Sequence, residues 1–205
     1  MTRLLVKVCG ITNAADADVA AKAGADFLGF VVHPPSPRHC ADLAAACKGH
    51  EARAVLVTVG EESAPMMALA QGAGLRWIQP HVSRGSRKIV VDQLRAAGFR
   101  VLLPWPDEPE QDPIDAELYL WEPSPAETGL PGGSGQGHRA QFPPPGAYLL
   151  AGGLDGENLR ARIQDLAYSD IRFLKGVDAA SRLERAPGLK DPVKVKAFVE
   201  AARAL

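Results

Sequence analysis

The stretch LLVKVCGITNAADADVAAKAGADFLGFVV, residues 4–32, contains one complete strand–helix–strand unit. Its apolar start ends in Cys9 and a glycine. Thr12 or Asn13 then caps an alanine-rich helix that ends at Gly24, because short polar side chains favour helix starts and glycine favours helix ends. The final residues, FLGFVV, are all apolar or glycine, which is typical of a strand buried on both faces of a parallel sheet.

The same order of apolar strand, turn and helix continues along the chain. Eight strands are predicted, at residues 4–10, 26–32, 53–59, 76–82, 99–105, 117–123, 147–153 and 171–178. Repeated βα units join parallel strands, and eight of them close a barrel. We therefore predict an α/β fold with a single (β/α)8 TIM-barrel domain over residues 1–205. The chain is short for this fold, so trimmed helices are expected in the fifth and sixth units.

A doubly wound open sheet is the alternative architecture, although no G-x-G-x-x-G motif follows the first strand. Composition narrows the class of protein further. The net charge of −1 provides no electrostatic reason to expect a nucleic acid or a membrane surface as partner. No apolar run approaches the roughly 18 residues of a membrane helix, and the N-terminus shows no signal-peptide pattern.

Cys9, Cys40 and Cys47 are the three cysteines, and no CxxC pair is present. An odd number without such pairs argues against a disulfide framework and against a metal site, and indicates a cytoplasmic protein. Cys40 and Cys47 fall in a helical region and are interpreted as packing residues. Packing is also the common role of an isolated cysteine such as Cys9.

Reactive groups of a barrel collect at the carboxyl ends of its strands. The candidates at these ends are Cys9, His33, Arg38, Gln79, His81, Trp121, Glu122, Gly152, Gly153, Asp178 and Ser181. The AGGLDGEN segment, residues 151–158, opens a helix after the seventh strand, so its bare backbone N–H groups either bind an anion or only form a tight turn. The glycine-rich loop at 129–137 is either a lid or a linker.

Four segments resemble the phosphoribosylanthranilate isomerase family of tryptophan biosynthesis. They are KVCGITNAADADVAAKAGADFLGFVVHPPSPR (7–38), GGSG (132–135), AGGLDGENL (151–159) and VDAASRLERAPGLKD (177–191). The resemblance implies a (β/α)8 barrel without cofactor or metal that binds a small phosphosugar substrate. We expect a monomer or a homodimer.

The reaction implied by the resemblance is the Amadori rearrangement of N-(5-phosphoribosyl)anthranilate to 1-(2-carboxyphenylamino)-1-deoxyribulose 5-phosphate. An acid protonates the sugar ring oxygen and opens a Schiff base, and a base takes the proton from the adjacent sugar carbon. Cys9 matches the family's base, and a thiol pKa near 8.5 can fall beside a cation. Arg38 matches the arginine that holds the anthranilate carboxylate. The remaining residues expected to bind substrate are Gln79, His81, Gly152, Gly153, Asp178 and Ser181.

The chain departs from the family's pattern at several places. LYLWEP ends the sixth strand, where the family carries an acidic aspartate; counting along the strand assigns Glu122 to that role, whereas a slip of one residue assigns Trp121. QPHV replaces QLHG at 79–82, the lysine and Phe-Asp-Trp that usually follow GGSG are missing, and Arg182 occupies a glycine position of the phosphate site. Two alternatives therefore stay open: a related phosphosugar isomerase of another pathway, or a catalytically silent phosphosugar-binding paralogue.

Overall fold

The computed structural model describes residues 3–106, 114–122 and 142–205. The barrel strands are β1 Leu5–Cys9, β2 Phe27–Val32, β3 Ala54–Val59, β4 Trp77–His81, β5 Arg100–Pro106, β6 Leu118–Glu122, β7 Tyr148–Leu150 and β8 Leu174–Ala179. The helices in the described residues are α1 Ala14–Ala23, α2 Leu43–Cys47, α3 Ser63–Gly72, α4 Arg84–Ala96, α5 Leu159–Gln164, α6 Tyr168–Ile171 and α7 Pro192–Arg203.

All eight strands are parallel and form one closed barrel in chain order. The seam is closed by β8, which pairs with β1 so that Lys7 lies opposite Asp178 and Val8 opposite Ala179. The predicted (β/α)8 barrel is confirmed. The doubly wound alternative is excluded, because an open sheet would leave two edge strands unpaired.

Side chains alternate along each strand, so the barrel has two separate apolar layers. Val6 and Val8 belong to the layer between the barrel and its helices. Cys9, Val57 and Leu120 belong to the smaller cluster that fills the barrel interior. Residues two apart from Cys9 therefore share its interior position.

Local capping signals place the first helix as expected. Asn13 rather than Thr12 is the N-cap of α1, and its side-chain oxygen accepts a hydrogen bond from the backbone of Asp16. Gly24 ends the helix with a φ of 99°, a left-handed conformation that glycine adopts without steric cost.

The last quarter of the chain differs from the predicted element bounds. β7 ends at Leu150 rather than at residue 153, because Gly152 and Gly153 turn away with φ values of 95° and 61°. β8 begins at Leu174 rather than at 171, since the residues before it form α6.

A two-stranded antiparallel hairpin after β8 was not predicted. It consists of β9, Glu184–Ala186, and β10, Leu189–Lys190. A Cβ at Gly188 in its turn would lie 2.8 Å from the Pro37 carbonyl oxygen, so the hairpin packs closely on the loop after β2. This contact brings hairpin side chains to the mouth of the barrel.

Three predictions concern residues that the structure does not describe. They are the trimmed fifth and sixth helices, the last residue of the predicted sixth strand, and the lid or linker at 129–137. Across the three described ranges, every helix is too short or too polar to cross a membrane.

Candidate active site

A cavity of about 280 Å³ opens at the carboxyl ends of the barrel strands. Seven of the candidate residues at the strand ends line it: Cys9, His33, Arg38, Gln79, His81, Glu122 and Asp178. Val57, Val59 and Leu120 supply apolar surface. A mostly apolar cavity with a few polar groups is typical of a small-molecule site.

The thiol of Cys9 shares the barrel interior with a buried ion pair. Lys7 Nζ donates a hydrogen bond to Asp178 Oδ1 at 2.9 Å, and no surface of the lysine side chain is exposed. Gly29 on β2 leaves room for these groups, because an ideal Cβ there would lie 2.7 Å from Cys9 Sγ and 3.2 Å from Lys7 Nζ. A glycine at this position is therefore required by packing.

Burial and the neighbouring charges act in opposite directions on these groups. Burial raises the pKa of the Cys9 thiol, the ammonium of Lys7 lowers it, and Asp178 raises it, so the pKa ends above its ordinary value. The fall of the thiol pKa that a neighbouring cation could cause is thus absent, because desolvation outweighs the cation. Burial acts to lower the pKa of Lys7, but Asp178 and Cys9 raise it above its usual range, and the lysine stays charged.

The strand register answers the choice between Glu122 and Trp121. Glu122 and Leu120 line the cavity, two residues apart on β6. Trp121 points the other way and is fully buried in the outer layer, where its ring meets that of Tyr148 edge-on at 5.2 Å. Glu122 is therefore the acidic group that β6 presents to the cavity.

Burial, followed by the negative charge of Asp178, raises the pKa of Glu122 to about 8, although Lys7 opposes the shift. A carboxylic acid with this pKa keeps its proton at neutral pH. Burial, with Lys7 and His33, lowers the pKa of His81 to about 4, so this ring is neutral there.

Gln79, His81 and Glu122 form a polar row around the mouth. Gln79 Nε2 lies 2.9 Å from His81 Nε2, and Glu122 Oε1 lies 3.6 Å from His81 Nδ1. A neutral ring that accepts from the Gln79 amide carries its own proton on Nδ1, which faces the glutamate. Gln79 Oε1 is buried and has no hydrogen-bond partner within the described ranges.

Arg38 reaches the cavity from the loop after β2, across Gly10. A Cβ at Gly10 would lie 2.6 Å from Arg38 Cδ, so this glycine allows the arginine to cross β1. Arg38 Nε and Nη2 donate to the two oxygens of Glu184 at 2.7 and 2.9 Å. This side-on pairing holds the guanidinium and leaves its Nη1 end for a second carboxylate.

Glu184 also binds Lys190, whose Nζ donates to Oε1 at 3.0 Å and to the Ala180 carbonyl at 3.1 Å. The hairpin thus places one anion between two cations, of which Arg38 lines the cavity. Neither Glu184 nor Lys190 was predicted, because Glu184 meets Arg38 only after the chain has closed and Lys190 joins them through Glu184.

Gly152, Gly153 and Ser181 do not line the cavity. The two glycines turn beside it, and the Gly153 carbonyl accepts a hydrogen bond from Asn158 Nδ2 at 2.8 Å. Ser181 and Arg182 line a neighbouring hollow of about 350 Å³, where Arg182 Nη1 donates to Asp155 Oδ2 at 3.0 Å. Arg182 is therefore anchored at the rim of this hollow.

Lys7 is the interior residue that the sequence analysis missed. The sequence contained a signal for this position: Lys7 lies two residues before Cys9, and side chains two apart on a strand face the same side. In the parts of the chain that the structure describes, no three His, Cys, Asp or Glu side chains converge as metal ligands.

Residues 130–201 match the family model described as N-(5'phosphoribosyl)anthranilate (PRA) isomerase. The N-(5'-phosphoribosyl)anthranilate isomerase of Solibacter usitatus is 37% identical over 204 residues, which cover 98% of each chain.

Two solved structures are similar over nearly the whole chain. A phosphoribosyl anthranilate isomerase from Thermus thermophilus is 25% identical, with a TM-score of 0.78 over 98% of this chain and 99% of that one. A phosphoribosyl anthranilate isomerase in complex with reduced 1-(o-carboxyphenylamino)-1-deoxyribulose 5-phosphate is also 25% identical, with a TM-score of 0.72 over 98% of this chain and 100% of that one.

Proposed function

The chain belongs to the N-(5'-phosphoribosyl)anthranilate isomerase family, and on that premise we propose that Cys9 and Glu122 catalyse the Amadori rearrangement of N-(5-phosphoribosyl)anthranilate in tryptophan biosynthesis. The observation that carries this proposal is that a thiol from β1 and a carboxylic acid from β6 line one cavity. The reaction needs a base and an acid that act on one sugar at different atoms.

Glu122 is the proposed acid. Its pKa of about 8 keeps the carboxyl group protonated at neutral pH, so it has a proton to donate to the ring oxygen of the sugar. Donation breaks the C–O bond of the ring and leaves an open-chain Schiff base. The neutral Nδ1–H of His81 supports the carboxylate that this step produces.

Cys9 is the proposed base. As a thiolate it takes the proton from the sugar carbon next to the Schiff base, and the resulting enolamine tautomerises to the aminoketone. The apolar wall formed by Val57 and Leu120 excludes water from this side of the sugar. No covalent bond forms between the sulfur and the substrate.

The two anionic ends of the substrate bind to different groups: the carboxylate to a side chain and the phosphate to backbone turns. The Nη1–Nη2 edge of Arg38, whose Nη1 has no partner in the described residues, binds the anthranilate carboxylate as a fork. Gln79, His81 and Asp178 bind the polar atoms between the two ends. The phosphate binds at the turns of Gly152, Gly153 and Ser181, which adjoin the cavity after β7 and β8.

The wider setting follows from the same features. We infer a single domain over residues 1–205, and the closing of β8 on β1 supports it. The described residues of one chain already bring a thiol, an acid and a carboxylate-binding arginine to the cavity, which supports a monomer as well as a homodimer. The three free cysteines, with one of them as the base, fit the reducing cytoplasm.

Turnover of the purified protein tests the proposal directly. Incubation with N-(5-phosphoribosyl)anthranilate and recording of its fluorescence loss measures the isomerisation. Turnover that Cys9→Ala removes supports the proposal. Binding of the product analogue without turnover would instead support a silent phosphosugar-binding paralogue, which the substitution of Arg182 in the phosphate region motivates.

A further inference from the structure

Resting on the function proposed above, we propose that Lys7 is a positioning residue for the base: its buried ammonium, held by Asp178, stabilises the thiolate form of Cys9. Lys7 and Cys9 are two residues apart on β1 and both face the barrel interior, beneath the cavity mouth. The ammonium does not line the cavity itself, so it acts on the substrate only through the thiol.

Geometry brings the two groups to one place. An ideal Cβ at Gly29 would lie 2.7 Å from Cys9 Sγ and 3.2 Å from Lys7 Nζ, so the thiol and the ammonium approach the same point. The lysine has one hydrogen-bonded carboxylate partner among the described residues, Asp178, and an ammonium carries three N–H donors. A buried cation with donors to spare beside a thiol stabilises the anion that forms when the thiol ionises.

Asp178 has the opposite effect on the thiol. Its carboxylate accepts a hydrogen bond from Lys7 and favours the charged form of the lysine in the barrel interior. The same negative charge disfavours a second anion at Cys9. The two charges of the ion pair therefore have opposite effects on the ionisation of Cys9. Removing the lysine should disfavour the thiolate, and removing the aspartate should favour it.

The charged groups that face Cys9 come from three elements. Lys7 lies on β1, Asp178 on β8 and Lys190 on β10, while β2 contributes only Gly29. Around the rim of the same cavity stand Arg38, His33, His81 and Glu122. The variants keep all of these side chains in place, and because they also change the charge that Glu122 and His81 experience, the readout is taken at the Cys9 thiol itself.

The test measures the rate at which iodoacetamide alkylates Cys9 as a function of pH, with the modified peptide identified by mass spectrometry. Only the thiolate reacts, so the midpoint of the rate profile is the thiol pKa. Lys7→Met should raise the midpoint and slow alkylation at pH 7 by about tenfold or more, because a smaller fraction of the thiol is ionised there. Asp178→Asn should lower the midpoint and speed alkylation.

Midpoints that move in opposite directions support the inference, whereas a purely structural ion pair would move both variants in the same direction or neither. Those two results overturn it. If Lys7→Met does not fold, Asp178→Asn is compared with Lys7→Met/Asp178→Asn, in which no charge is left unpaired. A higher midpoint in the double variant supports the role of Lys7, and equal midpoints refute it.

Turnover separates this inference from the proposed function. Lys7→Met should lower kcat about 10²-fold and change KM much less, because the thiolate fraction limits the chemical step, whereas its partner Asp178 is only one of several groups that bind the substrate. Midpoints that move in opposite directions, together with no isomerisation by the wild-type protein, would contradict the function alone. Normal turnover with unchanged midpoints would contradict the role of Lys7 alone.

Discussion

Glu122 Oε1 lies 3.6 Å from His81 Nδ1, and the two side chains end strands that are separated by β5. The pKa of the histidine is lowered to about 4 and that of the glutamate is raised to about 8, so both groups are uncharged between these values. The contact is therefore one between neutral groups at neutral pH. His81 stabilises a negative charge on Glu122 only after the glutamate has donated its proton.

Replacement of the proposed acid should reduce turnover with little effect on binding. Glu122→Gln keeps size and polarity but removes the transferable proton, and we expect kcat to fall by about 10²-fold or more. Steady-state kinetics measure the change. Trp121→Phe is the matched control on the same strand, because its ring faces the outer layer. A large loss in Trp121→Phe with normal turnover in Glu122→Gln would contradict the assignment.

The pH dependence of wild-type activity should report the ionisation of Glu122. Turnover needs Glu122 protonated and Cys9 as a thiolate, so activity should rise with pH below about 8 as the thiolate fraction grows, and this rise should level off at about pH 8 as Glu122 loses its proton. In Glu122→Gln the residual activity should go on rising through pH 8. A profile that levels off at the same pH in the variant would assign the change to another group.

Loss of the thiol should remove the base without unfolding the barrel. Cys9→Ala should lower turnover by roughly 10²- to 10⁴-fold, the range that a positioned base contributes. Cys47→Ala is the control, since this thiol is also buried but lies in α2, away from the cavity. Thermal unfolding followed by circular dichroism checks that both variants fold. Near-normal turnover in Cys9→Ala would make Cys9 a packing residue.

Gly29→Ala tests the space around the base. The added methyl group would lie 2.7 Å from Cys9 Sγ and 3.1 Å from its Cα, so the sulfur has to move. Misplacement of a reacting group by about 1 Å can cost on the order of 10²-fold in rate, which is the loss expected in kcat. Gly72→Ala, which has open space at the end of α3, should leave kcat unchanged. Equal activity of both variants would show that the thiol position is not critical.

Arg38→Lys should weaken substrate binding more than catalysis. A lysine keeps the charge but loses the fork, and the loss of a charged hydrogen bond corresponds to a rise in KM of about 10- to 100-fold. Arg185→Lys, on the exposed face of β9, is the control and should change neither kinetic constant. An unchanged KM in Arg38→Lys would move carboxylate binding to another residue.

Phosphate binding after β7 can be tested by inhibition with inorganic phosphate. Gly153→Asp places a carboxylate in the turn, and repulsion should weaken inhibition by roughly 10-fold or more. Gly153→Asn is the matched control, because asparagine has the same size and also tolerates the φ of 61° found there. Equal inhibition of both variants would remove the phosphate from this turn.

The fold and the position of Cys9 could be predicted from local sequence. Barrel strands are covered on both faces, so they appear as apolar runs such as FLGFVV, and helix ends at Asn13 and Gly24 depend on nearby backbone groups alone. Counting along the sixth strand narrowed the position of the acid to two residues, Glu122 and Trp121. The predicted end of β7 was wrong, because a glycine pair after an apolar run is compatible both with a continued strand and with a turn.

The pairing of charges could be known only from the tertiary structure. Lys7 and Asp178 are 171 residues apart, and Arg38 and Glu184 are 146 residues apart, so both pairs exist only because β8 closes on β1 and carries the hairpin with it. The raised pKa of Glu122 likewise depends on desolvation, which no single segment determines. Local sequence thus selected the strands, the caps and the residues at the strand ends, whereas barrel closure decided which charges meet and which protons are held.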